Sequence, residues 1–198
     1  MRAERKQTEA ENVEKEITKT EKSKNKDKNK KSFAKEFLKE IVIAAAIAGA
    51  ILFFVGPTAV REHSMQPTVN DGDVLLLSKA LYNDPQVGDI IVFKSELEDD
   101  NGKPMNLIKR VIGTGGDIIT ISNGKLYRNG QEIKEDYIYG ECTGEVYNFE
   151  VPEGKLYVLG DHREVSRDSR ELGAIDEKTV IGKAVLRIWP LSDFGRLN

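Results

Sequence analysis

The chain has 198 residues, 39% hydrophobic and 32% charged, with 17 glycines and a net charge of −3. That length accommodates one modest domain plus an appendage, and the slightly acidic balance argues against nucleic acid as a partner. A single cysteine, Cys142, excludes an intramolecular disulfide and a cysteine-based metal site. Its setting, "YGECTGEV", supplies no neighbouring histidine, so Cys142 reads as a small inert residue. No cofactor or metal is expected.

The N-terminal region is basic. Residues 1–40 hold 13 Lys/Arg against 9 Asp/Glu, and Lys22 to Lys31 ("KSKNKDKNKK") has six lysines and one aspartate. With nothing apolar to bury, residues 1–32 are expected to form a disordered, lysine-rich cytoplasmic tail. The next segment, Ile41 to Val60, runs twenty residues without a charge. At about 1.5 Å per residue a helix of that length reaches about 30 Å, the thickness of a hydrocarbon core. A single transmembrane helix is therefore predicted over residues 33–60. A secretory signal h-region is the rival reading, opposed by the forty-residue preceding tail and by the lack of a clean small-x-small site. A buried core helix is opposed by the lysine-rich flank. The positive-inside rule then puts the N-terminus in the cytoplasm and everything after Val60 outside the cell membrane, which the chain crosses once.

From Arg61 onward the balance is acidic, 24 Asp/Glu against 17 Lys/Arg, and the pattern changes to strands. "DVLLLSKAL", "DIIVFKS", "NLIKRVIG", "DIITIS", "KLYRNG", "KLYVLGD" and "TVIGKAVLRIW" are short and rich in β-branched or aromatic residues. Gly, Asn and Asp punctuate them. Asn123-Gly124 and Asn129-Gly130 are preferred two-residue hairpin turns. "GTGGD" (Gly113 to Asp117) opens no helix and reads as a turn, not a phosphate loop. Residues 61–198 are therefore predicted to be one mainly β, antiparallel domain.

Ser64, in "REHSMQPT", would lie at the outer membrane surface. A nucleophilic serine needs a proton acceptor. His63 is its immediate neighbour, and adjacent side chains diverge. His162, beside Asp161 in "GDHREVSRDSR", is a candidate for a distant triad. Lys109 is the other. Read as a strand, "NLIKRVIG" puts Leu107, Lys109 and Val111 on one face. An ammonium between two apolar side chains loses hydration, which favours the neutral amine. Such an amine can take the serine proton and return it to a leaving group. The plainer alternative is an edge lysine with its stem on apolar surface and its head in water. Residue chemistry alone leaves both bases open.

"SMQPT" (Ser64 to Thr68), "GDVLLL" (Gly72 to Leu77), "KRVIGTGGD" (Lys109 to Asp117) and "GDHREVSRDSRELGAI" (Gly160 to Ile175) follow one N-terminal apolar segment in that order. Together they resemble the bacterial type I signal peptidases, over roughly Phe33 to Trp189. The resemblance implies a signal-peptidase-like antiparallel β-sheet, barrel-like catalytic domain behind one transmembrane helix. It also implies a serine endopeptidase that removes N-terminal signal peptides from exported preproteins after small-x-small sites. Ser64 would be the nucleophile and Lys109 the general base. Ser166 would hydrogen-bond and orient the lysine, Asp168 and Arg170 would form a bracing charged pair, and the Ser64 N–H would be one oxyanion donor. The implied partners are exported preproteins and the lipid bilayer.

Three positions depart from the family pattern. His162 stands where the family usually has Asn, and Thr114-Gly115-Gly116 replaces a stretch that usually carries proline. Glu62 stands two residues before the nucleophile, where relatives often have Ser or Gly. An ionised carboxylate cannot donate a hydrogen bond and repels an oxyanion, so Glu62 is expected to point away. Two other readings have their own discriminators. A self-cleaving repressor of similar architecture would carry a DNA-binding domain where this chain has its lysine-rich tail. A tethered module that only binds would have no use for Ser64, Lys109 and Ser166 together.

Overall fold

A computed structural model describes residues 35–49, 54–79, 82–99 and 101–197. The lysine-rich tail expected over residues 1–32 lies outside these residues. A helix, α1, runs over residues 35–49 with its residues exposed; Ala, Leu, Lys and Glu, all good helix formers, make up much of it. Among the described residues no helix is long and apolar enough to cross a membrane.

The helix expected through residue 60 ends sooner. Val55–Ala59 is a β-strand, β1, paired antiparallel with β2 (Val74–Ser78). Gly56 and Pro57 explain the change. Proline removes an amide donor, clashes with the preceding helical turn and disfavours the α conformation in the residue before it. It is tolerated in β1 because that strand ends the sheet, where a missing donor costs no ladder bond.

The unit spanning Leu52–Asn198 is built from two antiparallel sheets. The larger also contains β3 (Ile90–Glu98), β4 (Pro104–Gly113), β9 (Lys155–Leu159), β10 (Ile175–Asp176), β11 (Val180–Trp189) and β12 (Gly195–Arg196). Its order is β1-β2-β11-β3-β4-β9-β10, with β12 paired to β11. The path is open, with β1 and β10 at its ends. The smaller sheet has the order β7-β6-β5-β8, from β5 (Ile118–Ser122), β6 (Lys125–Arg128), β7 (Gln131–Glu132) and β8 (Val146–Glu150). All seven strand segments read from the sequence are strands, and the mainly β, antiparallel expectation holds. The Asn-Gly pairs close the β5–β6 and β6–β7 hairpins. Asn123, Gly124, Asn129 and Gly130 have φ of 52°, 74°, 53° and 75°, the left-handed values that two-residue hairpins require. Thr114 to Asp117 turns as expected, the Asp117 N–H donating to the Thr114 carbonyl at 3.0 Å.

β4 lies in the middle of the larger sheet and is buried continuously from Leu107 to Gly113. Its neighbours are β3 and β9. Ile108 joins a core with Val60, Met65, Leu75, Leu77 and Val92. Leu107 and Val111 join another with Ile91, Phe93, Leu156 and Val158. Both faces of β4 are thus covered by apolar side chains. Any polar group it carries must find its partners inside the protein.

Candidate active site

Ser64 sits in the turn after β1. The chain leaves β1 at Val60, whose N–H donates to the Asp73 carbonyl at 2.8 Å. It re-enters the sheet at β2, so residues 61–73 form a loop pinched at its base. Met65, next to the serine, is fully buried in the core beneath, which fixes the direction of the serine side chain. A second clamp comes from the segment after β9: the His162 N–H donates to the Ser64 carbonyl at 3.0 Å. Gly160 permits this approach. A Cβ there would run into the Ser64 carbonyl oxygen and the Ser166 Oγ, so only glycine fits without displacement.

Lys109, on β4, is 1% exposed and reaches this turn from across the sheet. Its Nζ lies 2.8 Å from Ser64 Oγ, 3.0 Å from the Ile108 carbonyl and 3.3 Å from Glu62 Oε2. Burial pushes the amine below the ordinary lysine pKa, while Glu62, Asp168 and Asp161 pull the other way. The net direction is down, as desolvation in the "LIKRV" strand predicts. Of the two candidate bases, then, the structure brings Lys109 to the serine. The hydrogen bonds of Ser64 Oγ run to Lys109 and Glu62, and the His162 ring instead stacks edge-on against Tyr139 at 4.9 Å.

Glu62 does not point away. Its Oε2 accepts from Ser64 Oγ at 3.0 Å as well as from Lys109. The reason is the lysine's burial: an ammonium with almost no access to water attracts the nearest carboxylate. The bond expected between Ser166 and Lys109 is correspondingly not formed. The three N–H groups of an ammonium already have three acceptors, and Ser166 Oγ is buried without a hydrogen-bond partner.

Asp168 and Arg170 do brace the loop that carries Ser166. Arg170 Nε and Nη2 lie 2.8 Å from Asp168 Oδ1 and Oδ2 respectively. The same guanidinium holds the carbonyls of Arg163 at 2.6 Å and Ser166 at 3.3 Å. Asp168, fully buried, accepts from the Gly160 N–H at 3.0 Å and caps the short helix α2 (Ser169–Leu172).

Sequence reasoning passed over a second buried pair. Arg110 meets Asp161 side-on through Nε to Oδ1 at 2.9 Å and Nη2 to Oδ2 at 2.8 Å. Thr68 Oγ1 donates to the same carboxylate at 2.5 Å. This pair ties β4, the Ser64 turn and the segment after β9 together. Its signal lay inside the quoted boxes: "KR" is charged within a strand that is buried, β4, and "GD" directly follows another, β9. Arg163 with Glu135 forms a third buried pair, at 2.6 Å. Arg163 also donates to Cys142 Sγ at 3.3 Å, and burial pushes that thiol's pKa up, away from the thiolate form a nucleophile would need.

Ser64 and Lys109 open onto a cleft of about 320 Å³ lined by Glu62, His63, Ser64, Leu97, Met105, Leu107, Lys109, Val165 and Arg167. A second cavity of about 400 Å³ lies along residues 58–62 and 105–108 and shares Glu62, Met105 and Leu107 with it.

A family model described as signal peptidase, peptidase S26, matches residues 34–189. The chain is 39% identical over 152 residues to the probable signal peptidase I-1 of Synechocystis sp., covering 74% of this chain and 78% of that one. It is 36% identical over 169 residues to signal peptidase IB of Staphylococcus aureus, covering 73% and 85%. A crystal structure of a signal peptidase I from Enterococcus faecalis aligns with a TM-score of 0.45 at 30% identity, over 52% of this chain and 98% of that one.

Proposed function

This chain belongs to the signal peptidase family, peptidase S26, and we propose that it cleaves signal peptides from exported preproteins with Ser64 as nucleophile and Lys109 as general base. The observation that carries this reading is the 2.8 Å contact between Lys109 Nζ and Ser64 Oγ at the floor of an apolar cleft. A lysine buried this far with a lowered pKa is a costly arrangement for a fold to keep unless its amine has work to do.

The chemistry runs in two halves. The neutral amine takes the Ser64 proton as Oγ bonds to the scissile carbonyl carbon, and the carbonyl electrons move onto oxygen. The Ser64 N–H is the donor expected to face that oxyanion. The resulting ammonium gives its proton to the departing amine as the C–N bond breaks, leaving an acyl-enzyme. A water then loses its proton to Lys109 and attacks the ester. The carboxylic acid leaves and the proton returns to Ser64.

Substrate choice follows from the cleft. Leu97, Met105, Leu107 and Val165 give it apolar walls, and its small volume favours short side chains flanking the cut. In this reading the apolar segment before β1 anchors the chain in the cell membrane, with the N-terminus cytoplasmic and the β domain outside. A substrate whose own apolar segment sits in the bilayer presents its scissile bond at the same depth, which reduces the search to an oriented encounter.

The test is cleavage of a purified preprotein with an Ala-x-Ala site, in detergent, by wild type, Ser64→Ala and Lys109→Ala. Cleavage by wild type alone is the expected result. Cleavage by Lys109→Ala would remove the lysine from the mechanism.

A further inference from the structure

The peptidase reading above needs Lys109 neutral, yet the contacts its Nζ makes are ones that suit an ammonium. Its Nζ faces three acceptors, Ser64 Oγ, the Ile108 carbonyl and Glu62 Oε2. An ammonium has three donors and no lone pair, so this arrangement satisfies the charged form completely. The serine proton has another acceptor nearby, since Ser64 Oγ donates to Glu62 at 3.0 Å. In this state the base has no free lone pair, and the carboxylate stands 3.0 Å from the serine oxygen that would have to attack.

We infer that Glu62 is a substrate-displaced lock on the dyad: its carboxylate holds Lys109 charged in the free protein, and a peptide entering the cleft turns it out and frees the amine.

Three further observations carry this. Glu62 lines both the cleft and the second cavity beside it, as do Met105 and Leu107. A peptide spanning from the cleft to that cavity has to pass its side chain. The carboxylate is also lightly held. Its side chain is 21% exposed, and among the described residues its hydrogen bonds go to Ser64 and Lys109. Displacement therefore breaks two contacts and returns the charge to water. Finally, Ser166 Oγ is buried with no hydrogen-bond partner, a condition native structures rarely leave unexplained. It lies in the loop packed against Gly160 and the Ser64 carbonyl. Once Glu62 leaves, the buried ammonium gives one proton to water at the cleft mouth, and the neutral Lys109 keeps two donors and gains a lone pair. The Ile108 carbonyl and Ser166 Oγ can take the donors, and the lone pair can face the Ser64 hydroxyl.

The electrostatic surroundings leave Glu62 as the element that can change. His63 follows it in the nucleophile turn. Asp161, His162, Arg167 and Asp168 face the site from the segment after β9. Asp161 is held by Arg110 and Asp168 by Arg170, so both stay in place when substrate binds. Glu62 is the carboxylate in contact with the amine.

The experiment compares the pH dependence of preprotein cleavage by full-length wild type and Glu62→Gln. The rising limb of kcat/KM reports the free enzyme and that of kcat the substrate complex. In wild type the kcat limb should lie at lower pH, because the carboxylate is gone from the complex. Glu62→Gln should bring the kcat/KM limb down to meet it and leave the kcat limb where it was. Below the wild-type limb its kcat/KM should then exceed wild type by about tenfold for each pH unit moved. A merely structural glutamate would move neither limb. Coincident limbs in wild type, with no movement in the variant, would overturn the lock. So would a folded Glu62→Gln protein as inactive as Lys109→Met, which would make Glu62 itself the proton acceptor. A parallel readout needs no cleavage: NMR titration of lysines labelled at Cε, with the Lys109 signal assigned from Lys109→Met. Glu62→Gln should lower its midpoint, and an unmoved midpoint overturns the lock even if wild type cuts nothing. The peptidase reading and the lock can therefore fail separately.

Discussion

Replacing Lys109 with methionine should cost the protein its cleavage activity without costing it stability. Lysine and methionine are unbranched and of similar volume, so the variant keeps the packing between Leu107 and Val111 while removing the charge. Lys109 is 1% exposed. Its ammonium carries a desolvation cost that its contacts with Ser64, the Ile108 carbonyl and Glu62 only partly offset, which is why its pKa lies below the ordinary value. Exchanging buried ionic groups for apolar ones of matching size stabilises proteins by about 1–4 kcal/mol in favourable cases. Glu62 has an exposed route to water, so the partner left behind need not remain buried. At neutral pH we expect the midpoint of urea unfolding, read from the fluorescence of Trp189, to stay level or rise. Cleavage should fall by at least the ~10²–10⁴-fold that general-base catalysis supplies. The difference should depend on pH. Between the lowered folded value and the ordinary 10.5 the unfolded chain binds the lysine proton and the folded chain does not. Wild-type stability therefore gains with rising pH across that window relative to the variant, and the gap between them closes. A Lys109→Met protein that is destabilised by more than about 2 kcal/mol, with an unchanged slope along the urea axis, would refute the reasoning. Lysine would then be a structural group whose buried charge is a net gain.

Asp161→Ala removes the carboxylate paired with the buried Arg110, and the loss of one partner of such a pair costs about 3–5 kcal/mol; a drop below about 1 kcal/mol in urea unfolding would mean that the remaining contacts of Arg110, among them the Gly88 carbonyl, hold the charge without it. Gly160→Ala forces a methyl group against Ser64 and Ser166, so turnover should fall by about a hundredfold through misplacement of the nucleophile, while a protein with wild-type kcat would show that the turn yields. His162→Ala removes the ring but keeps the backbone N–H that holds the Ser64 carbonyl, so most activity should remain. A loss of about a thousandfold would restore the imidazole as a base.

Local chemistry determined a good deal by itself. β-branched and aromatic runs marked seven of the nine strands of four or more residues, β1 and β8 being the exceptions, and two Asn-Gly pairs marked the hairpins, because side-chain pattern and backbone φ are properties of a few consecutive residues. The two-residue strands β7, β10 and β12 have no period to detect. They exist because a neighbouring edge offered ladder partners. β1 was read as helix because the charge-free apolar run outweighed Gly56 and Pro57, which break the helix locally; pairing with β2 then made that segment a strand. At the site, the sequence supplied the residue types and, through family resemblance, their pairing. Burial and approach came from the fold. Lys109 and Ser64 are 45 positions apart and Arg110 and Asp161 are 51, so their meeting depends on the order of strands in the sheet. Glu62 shows the limit most clearly. Judged beside the nucleophile alone, a carboxylate should turn away. Next to an ammonium that β4 has carried out of water it turns inward, since the strength of an ion pair depends on how much solvent remains around both charges, and only the tertiary structure sets that.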